Sequence, residues 1–160
     1  MTFATLGEVF ADQIADLYSA KTELAAALPR LAAAADDARL QEALARHVEQ
    51  TRTHIERLRR IGERCGIAAT RRCDGMAGLL VEAEGVVRVP HGGPATDAAL
   101  IAAARRIEHY QIAAYGSART MADELGLRDA RDLLEETLGE RATPRRRWRG
   151  SRRAGCCGAG

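Results

Sequence analysis

The first 65 residues carry two long stretches in which apolar residues recur at steps of three and four. In the first stretch, residues 6–35, this face consists of Phe10, Ile14, Leu17, Leu24, Leu28 and Leu31. In the second, which ends at about residue 65, the face consists of Leu40, Leu44, Thr51, Leu58 and Ile61. The spacing predicts two long amphipathic helices. Asp36 or Asp37 can cap the second helix, Gly66 can end it, and Pro29 can kink the first.

A connector of different character follows at residues 67–94. It contains a short helical pattern at residues 74–87 and then a turn signal, "PHGGP". A third long helical pattern begins at Thr96 or Asp97 and ends at Gly126. The connector is therefore predicted to be a long crossover that carries a small helix of its own.

A fourth helical pattern begins near residue 128, and its apolar positions are Leu133, Leu134 and Leu138. Two helices, a long crossover and two more helices are the order found in one class of helix bundles. The sequence thus predicts an all-α fold, a ferritin-like four-helix bundle formed by residues 1–140 as one domain.

Polar side chains lie close to the buried face of the third long helix, in the segment "RRIEHYQIAAYG" at residues 105–116. Its predicted apolar face is Ile107, Ala114, Ala118 and Met121. Glu108 and Gln111 lie beside that face, one turn apart. A carboxylate and an amide near a buried face are the strongest functional signal in the chain.

Composition narrows the classes of function. Aromatic residues make up only 4% of the chain, which argues against stacking of nucleic-acid bases. No apolar run reaches the roughly 18 residues of a membrane span, so we expect a cytoplasmic protein. The four cysteines, Cys65, Cys73, Cys156 and Cys157, form no CxxC pair and are interpreted as reduced thiols.

Charge divides the chain near residue 140. All 22 acidic residues and 17 of the 24 Lys and Arg residues precede residue 141, whereas residues 141–160 contain seven Arg and no acid. Three interpretations of this terminus stay open: a disordered basic tail, a weak electrostatic contact with nucleic acid or acidic lipid, and a frameshift. One coding of "RWRGSR" gives Leu-Ala-Gly-Leu-Ala in another frame, which would continue a helix.

Ferritin-type bundles build di-metal sites from carboxylates and histidines that project into the core. Iron and manganese favour carboxylate oxygen, and imidazole fills the remaining positions. On helix two, His47 and His54 share a face because they are seven residues apart. The candidate metal ligands are Glu108, His54, Glu49, Glu140, Gln111 and His47.

Structural interpretations compete with the metal site. Lys21 stands at a core step of the first helix, between Leu17 and Leu24, and could form a buried ion pair with Glu108. Tyr18, Tyr110 and Tyr115 fit core or interface aromatics, with Tyr18 or Tyr110 also able to support a metal ligand. A solvated face is predicted for Glu56, Arg57 and Arg59.

Several segments resemble the YciE/YciF family of bacterial stress proteins. They are "DQIADLYSAKTEL", "ALPRLAAAA", "HVEQTRTHIERL", "RRCDGMAGLL" and "DAALIAAARRIEHYQIAAYGSARTMADELGL". The resemblance implies a ferritin-like, cytoplasmic homodimer linked to stress, with iron or manganese as the metal and ferroxidase as the activity. The alternative is a non-enzymatic dimeric bundle that acts through protein interactions.

The chain departs from that family at three positions. Lys21 replaces a more frequent Glu, Gln111 replaces the second Glu of "EHYE", and Arg141 follows Glu140 where the family continues with acidic residues. Loss of carboxylates removes charge that would neutralise two metal ions. The metal site is therefore expected to be partly degraded in this chain.

Overall fold

A computed structural model describes residues 2–68, 71–88 and 93–141, with Arg141 described by its backbone alone. These ranges contain five α-helices: α1 (Leu6–Ala33), α2 (Ala38–Cys65), α3 (Asp74–Val87), α4 (Pro94–Glu124) and α5 (Arg128–Arg141). The predicted all-helical bundle with a helix in its crossover is confirmed. Most of the predicted turn at 90–94, and the basic terminus from 142 onward, lie outside the described residues.

Local chemistry accounts for where the helices begin and end. Asp37 caps α2, its side chain accepting from the backbone N–H groups of Arg39 and Leu40. Gly66 and Gly126 follow α2 and α4 with φ values of 68° and 69°, a conformation that glycine adopts without strain.

The predicted start of α4, at Thr96 or Asp97, was two or three residues late. Pro94 occupies the first turn, where its missing N–H costs nothing. Asp97 lies inside α4, and its carboxylate accepts from the backbone N–H groups of Asp36 and Asp37, both at 2.9 Å. It thereby ties the start of α4 to the turn between α1 and α2.

The apolar core consists of two clusters. The first cluster contains Leu24, Leu28 and Leu31 of α1 with Leu40 and Leu44 of α2, Met76 of α3, and Leu100 and Ile107 of α4. The second cluster contains Phe10, Ile14 and Leu17 of α1 with Leu58 and Ile61 of α2, Tyr115 and Ala118 of α4, and Leu134 of α5. Helix α1 therefore runs antiparallel to α2 and α4, while α5 packs against α4 and α2 and runs in the same direction as α1. The predicted core faces of α1 and α2 are confirmed.

A layer of buried polar side chains separates the two clusters, and we call it the polar layer. Its members come from the stretches of α1, α2 and α4 that lie between the clusters: Lys21, His47, Thr51, His54, Glu108 and Gln111. Each of them is at most 3% exposed. The buried face of α4 thus includes Glu108 and Gln111, whereas Ala114 and Met121, predicted to lie on it, are only partly buried.

Candidate functional site

Lys21 extends into the middle of the polar layer. Its Nζ lies 3.0 Å from His54 Nδ1 and 3.3 Å from Gln111 Oε1. The same nitrogen is 5.7 Å from the centre of the Tyr115 ring, within the range of a cation–π contact. One ammonium therefore joins α1 to both α2 and α4 at full burial.

His54 connects this interior to the protein surface. Its Nε2 lies 2.8 Å from Glu140 Oε2, and Glu140 is the last residue of α5 with a described side chain. Arg57 donates to the other oxygen of Glu140 at 2.7 Å. The Arg57 hydrogen bond lowers the pKa of Glu140 to about 2 against the opposing effect of burial, with a further contribution from His54. Glu140 is thus a carboxylate at neutral pH.

Arg57 corrects the sequence interpretation. It was assigned to a solvated face, but its side chain is only 11% exposed and also bonds Thr137 Oγ1 and Glu136 Oε1. Glu56 and Arg59 do lie on the exposed face, paired with each other. Arg57 differs because α5 crosses over it, which no pattern within α2 reveals.

The polar layer carries an energetic cost. Thr51 Oγ1 and Gln111 Nε2 are buried and have no hydrogen-bond partner among the described residues. Each such atom costs about 1–3 kcal/mol relative to a satisfied or apolar replacement. A layer that is retained at this cost is a place to look for function or for specificity of packing.

The structure brings together some of the predicted metal ligands and separates others. His54, Gln111 and Glu140 are linked through the contacts above. Glu108 and His47 are buried in the same layer, at 2% and 3% exposure. Glu49 is different: its side chain is 70% exposed and bonds Arg52 on the outer face of α2.

A second polar cluster, missed by the sequence analysis, lies where α3 meets α1 and α4. Tyr110 Oη donates to Asp16 Oδ2 at 3.1 Å and lies 3.0 Å from Cys73 Sγ. Arg71 reaches Asp16 at 3.3 Å and also pairs with Asp12. The only local signal was the position of Cys73, one residue before α3, where its sulfur caps the Met76 N–H. Tyr110 therefore supports the crossover, away from His54 and Lys21.

Burial sets the chemistry of this second cluster. Desolvation raises the pKa of both the Cys73 thiol and the Tyr110 phenol, so both are neutral near pH 7. Because the Tyr110 proton is directed at Asp16, the Cys73 S–H is the donor in the sulfur–phenol contact. The cluster is a chain of neutral donors that ends on a carboxylate, which suits a structural role.

Comparison with known proteins identifies the family of this chain. The model of a family described as a domain of unknown function, DUF892, matches residues 5–146. The chain belongs to the DUF892 family.

Relatives of known structure support this membership. The chain is 41% identical over 142 residues to protein YciF of Escherichia coli, which covers 88% of this chain and 86% of that protein. The crystal structure of the E. coli stress protein YciF matches with a TM-score of 0.86 at 38% identity, covering 91% of this chain and 93% of the other. A candidate structural protein of Rhodopseudomonas palustris, YcfI, matches with a TM-score of 0.80 at 30% identity, covering 89% and 94%.

Two side chains in the polar layer of this DUF892 member argue against a di-metal centre. Lys21, a cation, stands among the candidate ligands, and Gln111 offers a neutral amide in place of the second Glu of the "EHYE" pattern. Within the three described ranges, no group of three or more His, Cys, Asp or Glu side chains is arranged to hold a metal ion. The contacts of Lys21 with His54 and Gln111 are hydrogen bonds within the layer.

None of the helices in the described part of the chain has the length and apolar run that a bilayer crossing needs.

Proposed function

We propose that this protein is a cytoplasmic stress-response bundle that acts through its surface, and that it carries no resident di-metal centre. The observation that supports the proposal is the position of Lys21, whose ammonium lies 3.0 Å from His54 Nδ1 and 3.3 Å from Gln111 Oε1. Lys21 hydrogen-bonds the two atoms that would face a metal ion, His54 Nδ1 and Gln111 Oε1, and its ammonium supplies the positive charge at that position.

Electrostatic repulsion opposes the binding of a divalent ion next to the Lys21 ammonium. Two unit charges about 4 Å apart interact with about 4 kcal/mol at an effective dielectric constant of 20, and a divalent ion doubles the repulsion. Position 111 carries a neutral Gln, and a carboxylate there would supply a negative charge to offset this repulsion. The lone pair of His54 Nδ1 is engaged by Lys21 as well. A metal ion would have to displace the lysine before it could be bound.

The descriptions of the relatives support a role in stress. YciF of E. coli is described as a stress protein, and YcfI as a candidate structural protein. Similarity at 41% identity over most of the chain makes a related cellular role the simplest proposal. We therefore expect the amount of this protein to rise under stress, which immunoblotting before and after oxidant or heat treatment measures.

A competing candidate is a di-metal ferroxidase that uses iron or manganese. The burial of Glu108, His47 and His54 in one layer favours it. In that case Lys21 would move aside when Fe(II) or Mn(II) is supplied.

Metal content decides between the two candidates. After aerobic purification with added Fe(II) or Mn(II), elemental analysis of the wild type should find well below one metal ion per chain. The variant Lys21→Glu/Gln111→Glu, which restores two carboxylates, should bind more. A matched control, Gln41→Glu/Arg46→Glu, makes the same charge change on the exposed face of α2 and should bind no more than the wild type.

The outcome that contradicts the proposal is specific. It is a wild type that holds one or more iron or manganese ions per chain, loses them on Glu108→Ala, and oxidises Fe(II). Glu49→Ala is the control in that case, because its side chain lies on the surface.

A further inference from the structure

A continuous line of hydrogen bonds runs from the centre of the bundle to the end of α5. It passes from Lys21 on α1 to His54 on α2 and from there to Glu140 on α5, with contacts of 3.0 Å and 2.8 Å. Arg57 closes the line on the second oxygen of Glu140. The line crosses three helices and joins a fully buried group to one whose side chain is 35% exposed.

The chemistry of each group gives the line a direction. An ammonium has donors only, so His54 Nδ1 must accept from Lys21. The ring proton of neutral His54 then resides on Nε2 and is donated to the Glu140 carboxylate. The carbonyl oxygen of Gln111 and the face of the Tyr115 ring both favour the charged form of Lys21. The Glu140 carboxylate can only accept, so it favours the same tautomer from the other side of the ring. Without the ammonium, that preference would rest on Glu140 alone.

We infer that Lys21 is a positioning residue for α5: it holds His54 in the Nε2–H tautomer and thereby clamps the last turn of α5 onto α2. The clamp couples the interior of the bundle to the point where the chain continues into the arginine-rich terminus. Displacement of the Lys21 ammonium would loosen that turn, although Lys21 and α5 are linked only through His54 in these contacts.

This inference rests on the proposed function in one respect, that Lys21 rather than a metal ion faces His54 Nδ1. The metal analysis above tests that respect by itself. The clamp is tested separately on metal-free, chelator-treated protein, so failure of one proposal is distinguishable from failure of the other.

The wild type provides the first test. In ¹⁵N–¹H correlation spectra of the imidazole rings near neutral pH, His54 should show a protonated Nε2 and an unprotonated Nδ1. His54→Gln assigns its signals among the four histidines. A wild-type His54 with its proton on Nδ1 overturns the inference, whatever the variants do.

The second test removes the ammonium but keeps an unbranched side chain. Lys21→Met should raise the share of the Nδ1–H tautomer of His54, although Glu140 still favours Nε2–H. Amide hydrogen exchange at residues 138–140 should be about tenfold faster, the loss expected for one charge-assisted hydrogen bond. Arg119→Met is the matched control. It breaks the exposed pair between Arg119 of α4 and Glu135 of α5 and leaves the Lys21–His54–Glu140 line unchanged. A folded Lys21→Met protein with unchanged tautomer and unchanged exchange overturns the inference.

A surface variant covers the case in which Lys21→Met does not fold. Glu140→Ala removes the outer end of the line, where the side chain is already partly exposed. Exchange at residues 138–139 should rise while the His54 Nδ1 atom stays unprotonated, because Lys21 is still present. Unchanged exchange in this variant would show that the line does not hold α5 and would overturn the clamp.

Discussion

At the scale of single residues, Tyr110 shows how one hydroxyl can hold a crossover. It is packed so closely that a Cβ atom on Gly75 would lie 3.0 Å from its Cε2, so glycine there lets the ring reach its partners. Those partners are the buried Asp16 carboxylate and the Cys73 thiol at the start of α3. Tyr110 therefore holds the crossover through two groups, its ring against Gly75 and its hydroxyl against Asp16 and Cys73.

Tyr110→Phe should lower the free energy of unfolding by about 1–3 kcal/mol, because it leaves a buried carboxylate with one donor fewer and the Cys73 S–H without its acceptor. Urea unfolding followed by circular dichroism measures the change. Tyr18→Phe is the matched control: Tyr18 packs beside the second cluster and is only partly buried. Equal losses in the two variants would contradict a specific role for the Tyr110 hydroxyl.

At the scale of elements, α5 is fixed to the bundle by different means along its length. Leu134 and Ala130 pack into the second cluster, where apolar burial supplies the stability. In the last turn, Leu138 still packs against the second cluster, and Glu140 adds contacts with His54 and Arg57. The contribution of Glu140 is electrostatic and depends on the ionisation of its carboxylate.

The pH dependence of stability tests this attachment. The pKa of Glu140 falls from an ordinary 4.5 to about 2 in the folded protein, because Arg57 and His54 bond its charged form. The stabilisation is present above about pH 4.5 and is lost as the pH falls toward 2. Glu140→Gln should cost roughly 1 kcal/mol at pH 6, a figure already reduced for its partial exposure, and progressively less in acid.

Urea unfolding of the wild type and Glu140→Gln at pH 6, 4 and 3 measures the difference. Glu135→Gln removes a carboxylate of α5 that pairs with Arg119 at the exposed surface. It should cost less at pH 6, because exposed ion pairs contribute little. A Glu140→Gln cost that stays constant down to pH 3 would contradict the attachment.

At the scale of the whole molecule, the sequence predicted the architecture better than the site. Leucine at helical steps identified the buried faces of α1 and α2, because a large apolar side chain on a long helix is buried against the core. Helix α4 is richer in alanine, which is small enough for either face, so its buried side was predicted one position away from Glu108 and Gln111. Contacts such as Arg57 with Glu140, or Tyr110 with Cys73, join residues far apart in sequence and leave no periodic signal.

The number of chains per molecule is the last prediction. Helix α3 of the crossover packs over the first cluster, and Val81 on this helix is 67% exposed. An exposed apolar side chain on this outer helix favours burial against a second copy of the chain, since exposed apolar surface is stabilised by burial.

We therefore expect a homodimer of about twice the 17.3 kDa chain mass by size exclusion with multi-angle light scattering. The dimer should persist on dilution from about 100 to 1 µM if its dissociation constant is well below a micromolar. Val81→Asp places a charge on the outer face of α3 and should weaken the dimer if α3 lies at the contact. Leu125→Asp, at the opposite end of the bundle, is the matched change at another exposed apolar position. A wild-type mass of one chain at 100 µM would contradict the homodimer.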